Sequence, residues 1–135
     1  MAGLNRASRF GAVADYATRA RDEICLILQV ESVEALGNLD AILAVEGVDA
    51  VFVGPADLAA SMGHPGNPSH PDVVSASLDA IRRIRAAGKP AGFLTLDAAV
   101  LEQAIEAGSL FTAVDIDAAL LRRGAMEAAA RWRDR

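Results

Sequence analysis

Val48-Asp49-Ala50-Val51-Phe52-Val53-Gly54-Pro55-Ala56-Asp57-Leu58 is the stretch that decides the fold. Positions 50 to 53 are small, β-branched or aromatic, the composition of a strand buried in a parallel sheet. Gly54-Pro55 stops it, because glycine permits a turn that other residues resist and proline lacks the N–H that a ladder needs. Asp57 follows where the chain leaves the strand and begins a helical turn. In α/β folds, chemistry sits at the carboxyl ends of parallel strands.

The same punctuation recurs on both sides of this stretch. Residues 1 to about 7 read as a loop and residues 8 to 22 as a surface helix of small apolar and charged residues. Ile24 to Val30 reads as a strand with Glu31 just past its end. Ser32 is a good N-cap for a helix whose apolar face is Val33, Leu36, Leu39, Ile42 and Leu43, closed by Glu46-Gly47. After the central strand come a helical turn at Leu58–Met62 and a long Gly/Pro-rich loop, Gly63 to Pro71, of the length that is often functional. Asp72 opens a helix with Leu78, Ile81 and Ile84 inside, stopped by Gly88-Lys89-Pro90. Ala91–Thr95 is a third strand, Asp97 caps a further helix ended by Gly108, and Leu110–Val114 is a fourth strand. Asp115-Ile116-Asp117, one aspartate serving as cap, leads into a last helix reaching about Trp132. Four strand–helix units with glycine before each new strand predict an α/β fold with a parallel sheet. A complete eight-fold barrel needs ~250 residues. This chain has 135, about half of that.

The composition narrows the function classes. A net charge of −5 argues against nucleic acid or an anionic membrane as the main partner. The one cysteine, Cys25, excludes an internal disulfide and reads as a buried structural thiol inside Ile24–Leu28. No apolar run approaches the ~20 residues of a membrane span, and the first six residues lack a signal core, so the expected compartment is the cytoplasm. P-loop, GxGxxG, GxSxG and zinc-type Cys/His patterns do not occur.

Glu31 and Asp57 follow consecutive strands, and neighbouring parallel strands lie ~4.8 Å apart. Two such carboxylates suit a hard divalent cation with open positions; the same spacing also suits ordinary acids near helix starts. Gln29 lies two residues before Glu31 and shares its face of the strand. It reads equally as part of a site or as a satisfied buried amide. The N–H groups of Ala56 and Asp57 are candidates to bind a carboxylate or phosphate. His64 and His70 read as solvated loop side chains with nothing to fix a tautomer.

Gln29-Val30-Glu31, the run Glu46 to Leu58, Met62-Gly63-His64-Pro65-Gly66-Asn67-Pro68 and His70-Pro71-Asp72-Val73 together resemble the HpcH/HpaI aldolase/citrate lyase family. The resemblance extends from Arg6-Ala7-Ser8-Arg9 to the last helix and is nearest to the metal-dependent class II pyruvate aldolases. It implies the C-terminal half of a TIM (β/α)8 barrel, strands five to eight. It implies a divalent cation (Mg²⁺, Mn²⁺ or Co²⁺) on Glu31 and Asp57, and a pyruvate site formed by Gln29, Leu94 and the backbone N–H groups of Ala56 and Asp57. It also implies homo-oligomers, hexamers in the family, whose last helix (about 117–132 here) is exchanged between subunits.

The activity implied is cleavage or formation of 4-hydroxy-2-oxo acids, giving pyruvate and an aldehyde through a metal-stabilised enolate. The family's proton-handling histidine and its arginine belong to the N-terminal half, so this chain has no positions that match them. A partial reading frame, active only with that half, is therefore expected over a free-standing half-barrel. Two other readings stand beside it: an acyl-CoA lyase of the citrate or malyl-CoA type, and a non-catalytic metal- or oxo-acid-binding or assembly subunit.

Overall fold

The structure is a computed structural model describing residues 4–133; of the expected N-terminal loop, residues 1 to 3 lie outside the described residues. Four parallel strands stand side by side in chain order: β1 (Ile27–Val30), β2 (Ala50–Val53), β3 (Ala91–Leu94) and β4 (Ser109–Ala113). Helix α1 (Tyr16–Glu23) precedes the sheet. The crossovers are α2 (Val33–Gly37) with α3 (Leu39–Leu43), α4 (Pro55–Ser61) with α5 (Pro71–Ala86), and α6 (Ala98–Glu106); α7 (Asp117–Ala130) follows β4.

One face of this sheet carries the core. Val30, Val51, Val53, Ala91 and Phe93 alternate along their strands onto the helical side. They pack there with Leu39 and Leu43 of α3, Val73, Ile81 and Ile84 of α5, and Val100 and Ala104 of α6. The other face holds the residues in between. Phe52, Gly92 and Phe111 lie abreast across β2, β3 and β4. The two rings meet over the glycine, 5.9 Å between centroids. A Cβ on Gly92 would come within 2.2 Å of the Phe111 ring, so the absence of a side chain there is what lets the aromatic pair close.

Several boundaries differ from the sequence reading. Residues before Tyr16 form turns instead of helix, because the Asn5 and Ser8 side chains bond local backbone: Ser8 N–H donates to Asn5 Oδ1 and Gly11 N–H to Ser8 Oγ. Strand β1 starts at Ile27. Just before it, the Asp49 carboxylate accepts the Leu26 N–H at 2.6 Å. Cys25 therefore sits in the connection between α1 and β1 and is exposed, which corrects its reading as a buried thiol. The helix expected from Ser32 to Glu46 is two short ones, broken at Gly37-Asn38, two poor helix formers in succession. Leu39 and Leu43 still reach the core, whereas Val33 is exposed.

Helix α4 begins at Pro55, three residues earlier than expected, since proline's fixed φ suits the first helical position. The cap of α5 is His70, whose Nδ1 accepts the Asp72 N–H at 3.2 Å. Strand β4 opens at Ser109. The cap residue of α7 is Ile116, with Asp117 in the first turn. None of α7 is buried, and Leu121 on it is 75% exposed. No helix among the described residues is long and apolar enough to cross a membrane.

Candidate functional site

The carboxyl ends of β1 and β2 meet through a backbone bond, Gly54 N–H to Val30 O at 3.0 Å. This puts Glu31, the residue after β1, next to Gly54, the residue after β2. Gln29 and Glu31 share a face as their spacing requires, and the Gln29 amide donates to Glu31 Oε2 at 2.5 Å. The pair lies across Gly54. A Cβ there would stand 2.7 Å from both Gln29 Nε2 and Glu31 Oε2 and 3.0 Å from Glu31 Cβ. Gly54 has φ −97° and ψ 93°, an extended backbone open to any residue. Glycine is needed at this position for space, not for the turn that its place in the sequence indicates.

Asp57 is the third residue of α4 and is exposed. The first helical bond of α4 runs from Leu58 N–H to Gly54 O at 3.1 Å, so the Ala56 and Asp57 N–H groups precede it and are free for a ligand. The end of α4 is tied to the start of α2 by Ser61 Oγ, which accepts the Val33 N–H at 3.0 Å. Ser32 Oγ in turn caps α2 through the Ala35 N–H at 3.1 Å. These two serines hold the segment carrying Glu31 against the helix carrying Asp57.

Beside this lies an apolar cavity of about 270 Å³ at the carboxyl ends of β2 and β3, with Ala56, Pro68, Ser69, Leu94, Asp97 and Ile116 in its wall. Ala56 and Leu94 are thus brought together in one cavity. Gln29, Glu31 and Asp57 do not line it; Asp57 adjoins it as the chain neighbour of Ala56. Sequence reasoning assigned Asp97 to capping alone. It does cap α6, its Oδ1 accepting the Ala99 and Val100 N–H groups. Its other oxygen also accepts from Ser69 Oγ at 3.2 Å, which fastens the long loop over the cavity. A larger cavity, about 390 Å³, lies on the helical side along α5 and holds none of these groups.

The two histidines are not free in solvent. Their rings stack at 3.6 Å between centroids and both face the Asp72 carboxylate. The cap bond to His70 Nδ1 fixes its tautomer, contrary to expectation. At the end of β4, Asp115 is gripped by both guanidinium nitrogens of Arg123 and accepts the Ile116 N–H at 2.8 Å. The Arg123 hydrogen bond, then the Ile116 N–H, hold the Asp115 carboxyl below its ordinary value.

A family model described as HpcH/HpaI aldolase/citrate lyase matches residues 5–124. The chain belongs to this family. It is 58% identical over 98% of its length to a protein of Rhizobium etli named pyruvate aldolase, of which it covers 52%. It is 52% identical over 96% of its length to a 4-hydroxy-2-oxo-heptane-1,7-dioate aldolase of Klebsiella pneumoniae, of which it covers 49%. The crystal structure of an HpcH/HpaI family protein from Burkholderia cenocepacia superposes with a TM-score of 0.87 at 39% identity, covering 98% of this chain and 52% of that one. The HpcH/HpaI chain described here thus spans about half the length of the curated relatives it matches. Its four βα units correspond to about half of a TIM-barrel-type family member.

Proposed function

We propose that this chain is the metal- and oxo-acid-binding half of a class II pyruvate-type aldolase. The observation that carries this reading is the Gln29–Glu31 pair laid across Gly54, beside the free N–H groups that open α4. Glycine at 54 keeps open a space that a methyl group would fill, bounded by the Glu31 carboxylate and the Gln29 amide, and Asp57 follows three residues on in the first turn of α4. Such an all-oxygen donor set with vacant positions fits a hard divalent cation, Mg²⁺, Mn²⁺ or Co²⁺. When bound by Glu31 and Asp57, that cation supplies Lewis-acid polarisation of the carboxylate and keto oxygens of a 2-oxo acid.

The protein's own groups do the rest. Gln29 holds one Glu31 oxygen and so fixes the rotamer of the carboxylate. The Ala56 and Asp57 N–H groups receive the substrate carboxylate. Leu94, in the apolar wall, keeps water from the methyl or methylene carbon. In the cleavage direction the C3–C4 bond breaks and its electron pair passes to C3 and the keto oxygen. The C4 hydroxyl loses its proton and becomes the aldehyde, and C3 takes a proton to give pyruvate. The names of the relatives, pyruvate aldolase and 4-hydroxy-2-oxo-heptane-1,7-dioate aldolase, support this reaction class. The unburied α7, with Leu120, Leu121 and Met126 exposed, supports its exchange with a second subunit in a homo-oligomer.

The test is calorimetric titration of the chain with pyruvate, with and without Mg²⁺ or Mn²⁺. Binding is expected only with the cation. Glu31→Gln and Asp57→Asn are each expected to weaken it on the order of 10²-fold without unfolding the chain. Pyruvate binding that persists without a cation, or through both substitutions, sinks the proposal.

A further inference from the structure

A second set of potential ligands lies outside the site described above. His64 Nε2 and His70 Nδ1 each stand 3.7 Å from the same oxygen, Asp72 Oδ2. One ligand atom from each of the three residues falls within 4.8 Å of the others. A tetrahedral ion with metal–ligand bonds of about 2.1 Å sets its ligand atoms roughly 3.4 Å apart. The two imidazole–carboxylate distances are within a few tenths of an ångström of that, and the two imidazole nitrogens lie within 4.8 Å of each other. The imidazoles are stacked near-parallel, 13° between planes, so one ring turns out of the stack for both in-plane lone pairs to meet a single ion. Because His70 Nδ1 accepts a backbone N–H, it carries a lone pair and not a proton.

The segment is held in place from both sides. His64 N–H donates to Ala59 O at 2.7 Å, Asn67 N–H to His64 O at 3.0 Å, and His70 N–H to Asn67 O at 3.1 Å, while Asp72 is in the first turn of α5. Both histidine side chains are less than one-third exposed, so their rotamers are restricted before any ion arrives. The Asp72 side chain is 70% exposed, which leaves a path for the ion and for a water in the fourth position.

We propose that His64, His70 and Asp72 form a binding site for a borderline divalent ion of the Zn²⁺ type, separate from the carboxylates at Glu31 and Asp57. The chemistry sorts the two sites. Two imidazoles and one carboxylate select Zn²⁺, Ni²⁺ or Cu²⁺, whereas oxygen-only donors suit Mg²⁺ and Mn²⁺. The bound ion takes His70 Nδ1 from the α5 cap and pins residues 64 to 72. Pro68 and Ser69 in that span form one wall of the cavity, so an occupied site stiffens that wall.

The experiment uses the untagged chain in excess Mg²⁺, titrated with ZnCl2 and, for absorption, CoCl2. One equivalent is expected to bind, with the visible bands of tetrahedral Co²⁺. His64→Phe keeps a ring in the stack and does not touch the α5 cap; it is expected to weaken Zn²⁺ at least tenfold. Wild-type chain supplies a readout independent of any variant's folding. It has only two histidines, and both sets of imidazole ¹⁵N resonances are expected to shift together and saturate at one equivalent. Glu31→Gln is expected to leave the Zn²⁺ isotherm unchanged. Unshifted imidazoles, equal affinity in His64→Phe, or loss of Zn²⁺ binding in Glu31→Gln overturns the assignment.

Discussion

On the helix-covered face of the sheet, Val51, Val53 and Ala91 are wholly shut off from solvent and Phe93 is 1% exposed. On the opposite face of the same sheet, along β1, Ile27 is 48% exposed and Gln29 is open to solvent. The covered face is predominantly apolar, packed against α3, α4, α5 and α6. The open face holds the Phe52–Phe111 pair and, at its carboxyl end, the only glutamine–glutamate contact among the described residues. Stability is concentrated on one side and the candidate site lies on the edge of the other. Substitutions on the two sides should therefore separate folding from binding.

The largest effect belongs to the covered face. Phe93→Ala removes a fully buried ring from the centre of the core and is expected to cost about 3–5 kcal/mol. A chain with one covered sheet face has little stability in reserve, so equilibrium urea unfolding is expected to show most of the cooperative transition lost. A shift below about 1 kcal/mol would mean that this face does not carry the fold.

Gly54→Ala works at the boundary of the two regions. The new methyl meets the flexible ends of Gln29 and Glu31, which can swing away, and the Glu31 Cβ at 3.0 Å, which can move only slightly. The expected loss of stability is about 1 kcal/mol. The expected loss of cation-dependent pyruvate affinity is about tenfold, because the second carboxylate oxygen is pushed off its position. Equal affinity in the variant would show that the open space over Gly54 is not part of the site.

The fold was largely legible because its signals are local. Apolar strands ending at Gly-Pro or followed by an acid, and a glycine before each new strand, fix alternation without any knowledge of packing. Gln29 and Glu31 were legible for the same reason: period two places them on one face. What failed needed partners distant in sequence. Cys25 stands in an apolar run but precedes the strand, because β1 pairs only with the four residues of β2. The Gly54 vacancy depends on side chains of the neighbouring strand. The two histidines become a stacked pair only once the loop folds back on the start of α5. Asp97 reaches Ser69 across 28 residues, a contact no local pattern encodes.

The smallest effect lies past the end of β4, in the connection to α7. Asp115 has its carboxyl held below the ordinary 3.8, first by Arg123 and then by the Ile116 N–H. A depressed folded-state value means that the pair stabilises the chain above the unfolded carboxylate pKa and stops doing so as pH falls through the folded one. The window is therefore below about pH 4. Arg123, pushed above its already high ordinary value, stays charged throughout and adds no second step. Arg123→Gln is expected to move the Asp115 carboxyl upward toward its ordinary value, but not fully, because the Ile116 N–H remains. A ¹³C titration of the Asp115 carboxyl reads this directly. An unchanged midpoint would mean that the pair does not persist in solution and that α7 is attached to the sheet by its backbone alone. Such a helix is free to leave its own chain, which is the property that exchange between subunits requires.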